Sequence, residues 1–210
     1  MIGQNTIKFI KSLNLKKNRK LNKKVILEGY RLIVESIQAG TQIDYIVINE
    51  NFQNELLNIK EFENQNIKSA SKNNFKKISN TTNSQGIIAI ADVKKYFNQS
   101  LENIKKENII ILDGIQDPGN LGTIFRTCVW YGIKSIILTS NTIDPFNLKC
   151  IRSGMGAHFN VKIYDDIPLI QFSDTHEIIA CETTGKDVLQ FKFPKKHVVV
   201  LANEAHGHTK

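Results

Sequence analysis

The residues best suited to chemistry follow a short apolar run at positions 109–112. They read Asp113-Gly-Ile-Gln-Asp117-Pro-Gly-Asn120-Leu-Gly-Thr-Ile-Phe-Arg126. The Pro-Gly pair signals a turn, and Asn120 is of a residue type that caps helix N-termini. Arg126 lies less than two helical turns beyond Asn120, so it stays near the start of the predicted helix. Free amide donors and a guanidinium together suit a phosphate or a developing oxyanion.

An ordinary capped turn with a surface arginine is the alternative interpretation of this loop, and the loop residues alone do not decide between the two. The loop also excludes two common phosphate-binding motifs. Gly119 and Gly122 lack the G-x-G-x-x-G spacing of a dinucleotide site, and no Gly-Lys-Ser/Thr of a P-loop follows them.

A parallel sheet must position this loop. We predict strands at 109–112, 135–138, 159–164, 177–181 and 197–201, with helices at 121–131 and 147–153. Strands that are separated by helical segments indicate a parallel sheet with right-handed crossovers, whose ligands bind beyond the carboxyl ends of the strands. The candidate loops are therefore those after Leu112, Leu138, Cys181 and Leu201.

The first half of the chain predicts a separate, smaller α/β domain. A helix through Leu32–Ile37 can end at Gly40, and Ser71 can cap a helix over 72–78. Residues 43–48 and 86–91 are predicted strands. We expect one domain over residues 1–95 and a second over residues 105–210.

The basic charge is concentrated at the start of the chain. The formal net charge is +8, and no acidic residue precedes Glu28. A segment of one sign attracts a polyanion such as a phosphate backbone. We predict that such a polyanion is contacted by Lys16, Lys17, Arg19 and Lys20. A merely solvated, lysine-rich face is the alternative.

Composition excludes several classes of protein. No apolar run approaches the roughly 18 residues of a membrane span, and the basic N-terminus is not followed by the apolar segment of a signal peptide. Three widely spaced cysteines predict neither a disulfide framework nor a metal site, but mostly buried free thiols. We therefore expect a cytoplasmic protein without a membrane or metal partner.

Four segments, in order along the chain, resemble the SpoU (TrmH-type) RNA ribose methyltransferases of the SPOUT superfamily. The first signature motif is matched by 117–127, and the segment that follows it by Lys149-Cys-Ile-Arg152-Ser-Gly-Met-Gly156-Ala157. The cofactor loop is matched in part by 200–207. The family's substrate-binding domain is matched by basic residues 16–24, Glu28-Gly29 and the segment 85–89.

The resemblance implies an α/β-knot methyltransferase domain with a trefoil knot, preceded by the small α/β RNA-binding domain. It implies S-adenosylmethionine as cofactor, RNA as substrate and a homodimer; ribosomal RNA is preferred over transfer RNA because of the dedicated N-terminal domain. The implied catalytic residues are Arg126, Asn120 and Glu204. Arg126 would stabilise the developing 2′-alkoxide and hold a phosphate, because a guanidinium is a poor base. The implied cofactor-binding residues are Thr183, Leu201, Ala202, Asn203 and Gly207. Lys149 and Arg152 are implied RNA contacts.

The sequence departs from the family pattern in the cofactor loop. Ala202 and Ala205 stand where the family usually has glycine, which costs roughly 1–2 kcal/mol if φ is positive there. No match to the family's third motif, a Ser-Leu-Asn segment with a long helix, occurs before position 210. We therefore expect a fragment, or a chain whose cofactor pocket is incomplete and binds S-adenosylmethionine weakly.

Two rival functions remain open on the sequence. One is a non-catalytic RNA-binding remnant of such an enzyme, favoured by the departures from the motif. The other is a nucleotide-binding protein with an open doubly wound sheet, which the missing phosphate-loop glycines disfavour.

Overall fold

The computed structural model describes residues 1–52, 54–96, 100–101, 104, 107–182, 184–203 and 207. They form two β-sheets, each flanked by helices. In the described part of the chain, no helix has both the length and the apolar character needed to cross a bilayer.

The first sheet has four strands, β1 (Lys24–Glu28), β2 (Ile43–Asn49), β3 (Ile67–Ala70) and β4 (Ile87–Asp92). Their order is β1-β4-β2-β3; β4 is antiparallel to both of its neighbours, and β2 and β3 are parallel. Strand β4 is a near-continuous apolar run because both of its faces are covered.

Four helices accompany this sheet: α1 (Gln4–Ser12), α2 (Lys16–Asn22), α3 (Tyr30–Gln38) and α4 (Lys72–Ile78). Helices α1 and α4 pack on one face of the sheet and α3 on the other. The predicted cap is confirmed: the Ser71 hydroxyl accepts the Asn74 N–H at 3.4 Å. The chain leaves α3 through Gly40, which has φ of +71° and donates its N–H to the Ile37 carbonyl.

The second sheet is parallel throughout, as predicted. Its strands are β5 (Ile109–Asp113), β6 (Ser135–Leu138), β7 (Lys162–Tyr164), β8 (Glu177–Ala180) and β9 (His197–Ala202), in the order β7-β6-β5-β9-β8. From β5 the chain winds outward to β6 and β7, then crosses to the other edge. The sheet therefore has a switch point between β5 and β9, where ligands bind in such folds.

Helices α5 (Pro118–Trp130) and α6 (Leu148–Gly154) complete the second half. Two of the predicted elements begin three residues away from their predicted starts. Helix α5 begins at Pro118 rather than at 121. The strand predicted from 159 begins at Lys162, because Ala157–Phe159 form a 3₁₀ turn. Strands β8 and β9 are joined by a link in which the described residues form no helix.

The two halves of the chain are in direct contact. The Arg19 side chain of α2 is 4% exposed and its Nη2 lies 2.5 Å from Oδ2 of Asp144, which follows β6. On the other side, Gly156 approaches α3 so closely that a Cβ on it would lie 3.0 Å from the Cβ of Glu35. The domain limits of 1–95 and 105–210 stay a prediction.

Two of the three cysteines are buried, as predicted, and Cys181 is exposed. Burial raises the pKa of the Cys128 thiol to about 11. The Cys150 thiol lies 3.3 Å from Nε2 of His158 beneath α6, and burial lowers the pKa of that imidazole to about 3. These groups are therefore uncharged packing elements of the α5–α6 layer at neutral pH.

Gly122 allows α5 and α6 to approach each other. A Cβ on Gly122 would lie 2.6 Å from the Cys150 carbonyl oxygen and 2.7 Å from the Gly154 nitrogen. Both atoms belong to backbone, so neither can rotate away.

We expect Gly122→Ala to destabilise the fold by about 1–3 kcal/mol, because the two helices must move apart. Denaturant unfolding measures the change. Gly185→Ala is the matched control, since a Cβ there meets nothing nearer than 3.5 Å. Equal stabilities of the two variants would show that the helices are not in close contact at Gly122.

Candidate functional site

A buried polar network holds the loop after β5 in place. Asp113 is 1% exposed and accepts a hydrogen bond from the Thr139 hydroxyl at 2.8 Å. The Gly114 N–H donates to the hydroxyls of Thr139 and Thr142, both at 3.1 Å. Because the segments that follow β5 and β6 are joined in this network, the loop that enters α5 has a fixed conformation.

Asp117, rather than Asn120, caps α5. The Asp117 carboxylate accepts the Asn120 N–H at 2.8 Å, and Pro118 occupies the first helical position. The prediction that Asn120 caps the helix was therefore wrong. The Asn120 N–H, with the charge of Lys149 nearby, holds the pKa of Asp117 below its ordinary value. The carboxylate is thus ionised near the positive end of the helix, which favours a negative charge.

A cavity of about 420 Å³ opens at the carboxyl ends of β5 and β9. This is the switch point of the sheet, and two of the four candidate loops meet there. Its wall is formed by the β5–α5 loop, the first two turns of α5 and the end of β9, with lining residues Ile115, Gln116, Asp117, Asn120, Thr123, Ile124, Leu201, Ala202 and Asn203. The apolar wall with a few convergent polar groups is typical of a small-molecule site.

The end of β9 supplies the backbone side of the cavity. The Asn203 side-chain amide donates to the Gly114 carbonyl at 2.9 Å. The backbone N–H of Asn203 donates to the Asp113 carbonyl at 3.1 Å. Gly207 donates its N–H to the Asn203 carbonyl at 3.0 Å and has φ of +65°. Position 207 therefore has a backbone conformation that favours glycine.

Alanine at position 202 is not strained. Ala202 is the last residue of β9, and its backbone φ is not positive. The penalty considered for alanine in place of glycine thus does not apply at this position. Ala205, the other departure from the motif, lies outside the described residues.

Arg126 lies on α5, beyond the residues that line the cavity. It is exposed and stands six residues, about 9 Å along the helix axis, past Asn120. Buried Leu121, Phe125 and Cys128 anchor the opposite side of the helix. The structure thus brings together Asn120, Leu201, Ala202 and Asn203, with Arg126 on the same helix. The predicted residues Glu204 and Thr183 lie outside the described residues.

The predicted RNA-contacting cations fall into distinct environments. Lys16 and Lys17 are exposed. Arg19 is buried in its ion pair with Asp144, so the prediction that it contacts RNA was wrong: its charge serves the contact between the two halves of the chain. Lys20 forms an ion pair with Asp165 at 3.1 Å.

The two cations of α6 point in different directions. Nζ of Lys149 lies 3.4 Å from the Asp117 carboxylate at the cavity. Arg152 instead donates to the Asn80 carbonyl in the first half of the chain at 3.4 Å.

Comparison with known proteins identifies both halves. Residues 107–210 match the model of the SpoU rRNA Methylase family, and residues 4–89 match that of the MRM3-like substrate binding domain. The chain belongs to the SpoU methylase family. The resemblance stated from the four sequence segments is thereby confirmed.

Other members of the SpoU methylase family agree with this assignment. The mouse protein rRNA methyltransferase 3, mitochondrial, is 33% identical over 153 residues, which cover 69% of this chain and 35% of the mouse protein. The 23S rRNA (guanosine(2553)-2′-O)-methyltransferase RlmP of Bacillus subtilis is 28% identical over 75% of this chain and 60% of its own length. The chain thus matches only about a third of the mouse relative.

A solved structure supports the fold over the whole chain. The rRNA methyltransferase from Sinorhizobium meliloti superposes with a TM-score of 0.81 and 26% identity, covering 100% of this chain and 82% of that one. The parallel sheet of the SpoU methylase fold is therefore present here. The knot expected of the superfamily stays a prediction.

Sequence reasoning missed the roles of Asp113 and Asp117 in this site. Pro118 was the available signal for Asp117, because proline favours the first position of a helix and so places the cap one residue earlier. Asp113 offered a weaker signal, an acidic residue at the end of an apolar strand. Its partner Thr139 lies 26 residues away, so the hydrogen bond itself was not visible in the sequence.

Proposed function

We propose that this chain transfers a methyl group from S-adenosylmethionine to a ribose 2′-hydroxyl of RNA. The observation that carries the proposal is the cavity at the β5–β9 switch point, into which the helix of Arg126 presents Asn120. The family membership and the names of the mouse and Bacillus relatives, both rRNA methyltransferases, support it.

The cavity is compatible with the cofactor. Its volume lies within the range of about 300–1,000 Å³ that is usual for small-molecule sites. Ile115 and Ile124 offer apolar surface, and Leu201–Asn203 offer backbone at the end of a strand. We assign Leu201, Ala202, Asn203 and, by family resemblance, Gly207 and Thr183 to cofactor binding. S-adenosylmethionine, when bound, supplies an electrophilic methyl group.

The residues of the chain position the nucleophile and stabilise its charge. The 2′-hydroxyl must lose its proton as it attacks, and a guanidinium stays protonated, so Arg126 is not the base. Arg126 donates hydrogen bonds to the developing 2′-oxyanion and to the adjacent phosphate, which takes the proton. Asn120 orients the ribose from the first turn of the same helix. Glu204 is assigned by family resemblance to a polar role beside the cofactor.

The finer assignments are also proposals. Ribosomal RNA is the proposed substrate, because the relatives named above act on rRNA and the N-terminal residues match a substrate-binding domain model. A homodimer in the cytoplasm is the proposed assembly and location.

The deciding experiment measures transfer of labelled methyl groups from S-adenosylmethionine to purified rRNA and tRNA, followed by mapping of 2′-O-methyl sites. Calorimetry with S-adenosylmethionine, NAD and ATP identifies the cofactor. The proposal is supported if the chain methylates rRNA and binds S-adenosylmethionine but neither NAD nor ATP. RNA binding without cofactor binding would support a non-catalytic RNA-binding protein, and binding of NAD or ATP would support a nucleotide-binding protein.

The exposed lysines of α2 give a salt-dependent prediction. We expect Lys16→Ala with Lys17→Ala to flatten the slope of log affinity against log salt by about 0.7–0.9 for each phosphate that the variant no longer neutralises. Titration of a structured rRNA fragment at several salt concentrations measures the slope. Lys60→Ala is the control, because Lys60 is exposed but lies outside the basic segment that precedes Glu28. A double variant with the wild-type slope would remove α2 from the RNA interface.

A further inference from the structure

A second cleft, of about 490 Å³, lies between the two halves of the chain and away from the cavity at β5 and β9. Both halves line it: Glu28, Gly29, Arg31, Leu32, Thr81, Asn83 and Gln85 from the first, Arg152 and Met155 from the second. It therefore combines two guanidinium groups, several neutral hydrogen-bonding side chains and some apolar surface.

The two arginines of the cleft are available to a ligand. Both are exposed. Among the described residues, neither Arg31 nor Arg152 has a carboxylate within ion-pair distance, whereas Arg19, Lys20, Lys24 and Lys149 do. Arg152 uses one nitrogen for the Asn80 carbonyl and keeps further N–H groups for another acceptor. The cleft thus carries two positive charges that no described carboxylate neutralises directly.

Glu28, the one carboxylate among the described residues that line the cleft, is occupied by the protein. Its Oε1 accepts the hydroxyls of Ser79, Thr81 and Ser84 at 2.5, 2.8 and 3.0 Å, and its Oε2 accepts the Asn80 N–H at 2.8 Å. These four donors reduce the repulsion between Glu28 and a bound anion. They also fix the loop that presents Asn83.

The other wall of the cleft is equally constrained. The Gln85 amide oxygen accepts the Tyr30 N–H at 2.8 Å, which ties the loop to the start of α3. Across the cleft, Met155 adopts φ of +49° and Gly156 φ of +86°, and Gly156 contacts Glu35 on α3. Both arginines therefore start from backbone whose position is set before any ligand binds.

We propose that this cleft binds one nucleotide of single-stranded RNA, with Arg31 and Arg152 on its phosphates and Met155 against its base. The charge favours a polyanion, and Asn83, Gln85 and Thr81 offer donors and acceptors to a base edge. The volume accommodates a nucleotide but not a duplex. The proposal rests on the proposed function only in its choice of RNA.

The cleft also has a structural connection to the proposed catalytic helix. Arg152 lies on α6, which packs against α5 through Gly122, and α5 carries Arg126. RNA held in the cleft would therefore be one helix away from Arg126.

The test compares binding of a fluorescein-labelled, mixed-sequence single-stranded RNA by wild type and variants of the whole chain. Arg31→Ala with Arg152→Ala is expected to weaken binding at least about tenfold and to reduce the salt slope by about 1.4. Asn83→Asp is expected to weaken RNA binding as well, because it places a negative charge in the cleft without deleting a side chain. Lys72→Ala with Lys76→Ala, two exposed lysines of α4 that do not line the cleft, is the matched control for the removal of two positive charges.

Three readouts decide the outcome. The temperature of thermal unfolding and the affinity for S-adenosylmethionine should be unchanged in all variants. The double substitution of Arg31 and Arg152 should weaken binding of a blunt RNA duplex much less than binding of the single strand. Affinity losses equal to those of the α4 control, or equal losses for duplex and single strand, would overturn the proposal. A wild-type chain that binds this RNA through the cleft but transfers no methyl group would refute the proposed function and leave the cleft standing.

Discussion

Replacing Arg126 by alanine is expected to slow single-turnover methyl transfer by about a hundredfold to a thousandfold while the protein remains folded. Arg126 is exposed, and α5 is held by Leu121, Phe125 and Cys128 on its buried side. Truncating the arginine therefore opens no core cavity. The rate falls because the variant lacks the preorganised positive group that stabilises the developing oxyanion in the transition state.

The control variants separate charge from geometry. Arg126→Lys keeps a positive charge but cannot contact ribose oxygen and phosphate together as a planar guanidinium does, so we expect little rescue. Lys134→Ala removes an exposed cation next to the amino end of β6, remote from the cavity, and should leave the rate unchanged. A folded Arg126→Ala protein that retains more than about a tenth of the wild-type rate would contradict a contribution of this size.

The parallel sheet was predictable because the signals for each strand lie close together in the sequence. Short apolar strands, each followed by a turn or a helix, are compatible with few sheet topologies. Because ligands bind beyond the carboxyl ends of parallel strands, the predicted sheet then locates the site. Ser71 and Gly40 were predictable for the same reason, since a cap acts within one helical turn. Asp117 and Asn120 are both good caps three residues apart, and only the proline between them decides which one is used.

The roles of individual charges were not predictable, because their partners are distant in sequence. Arg19 and Lys17 are both cations of α2, yet one is buried against Asp144 and the other faces solvent. Lys149 and Arg152 are three residues apart on α6 and reach different sites. Tertiary contacts, rather than composition, decide which cations of a basic segment remain available to RNA.

Arg19→Ala is expected to destabilise the protein by about 3–5 kcal/mol, the cost of leaving a buried charge without its partner. Nε and Nη2 of Arg19 both donate to Oδ2 of Asp144, at 3.1 and 2.5 Å. Nη1 donates to the carbonyls of Leu13 and Asn14, both at 2.8 Å. The alanine variant would therefore leave a carboxylate and two carbonyls without these donors. Denaturant unfolding measures the loss.

Lys20→Ala is the matched control, one residue along the same helix. The Lys20–Asp165 pair is partly exposed, and such pairs contribute about 0–1 kcal/mol. Arg19→Met with Asp144→Leu should recover much of the stability that Arg19→Ala removes, since apolar residues of similar size often replace a buried ion pair without cost. If Arg19→Ala were no less stable than Lys20→Ala, Arg19 could not be holding α2 against the second half of the chain, and the buried ion pair would lose its role in joining the two sheets.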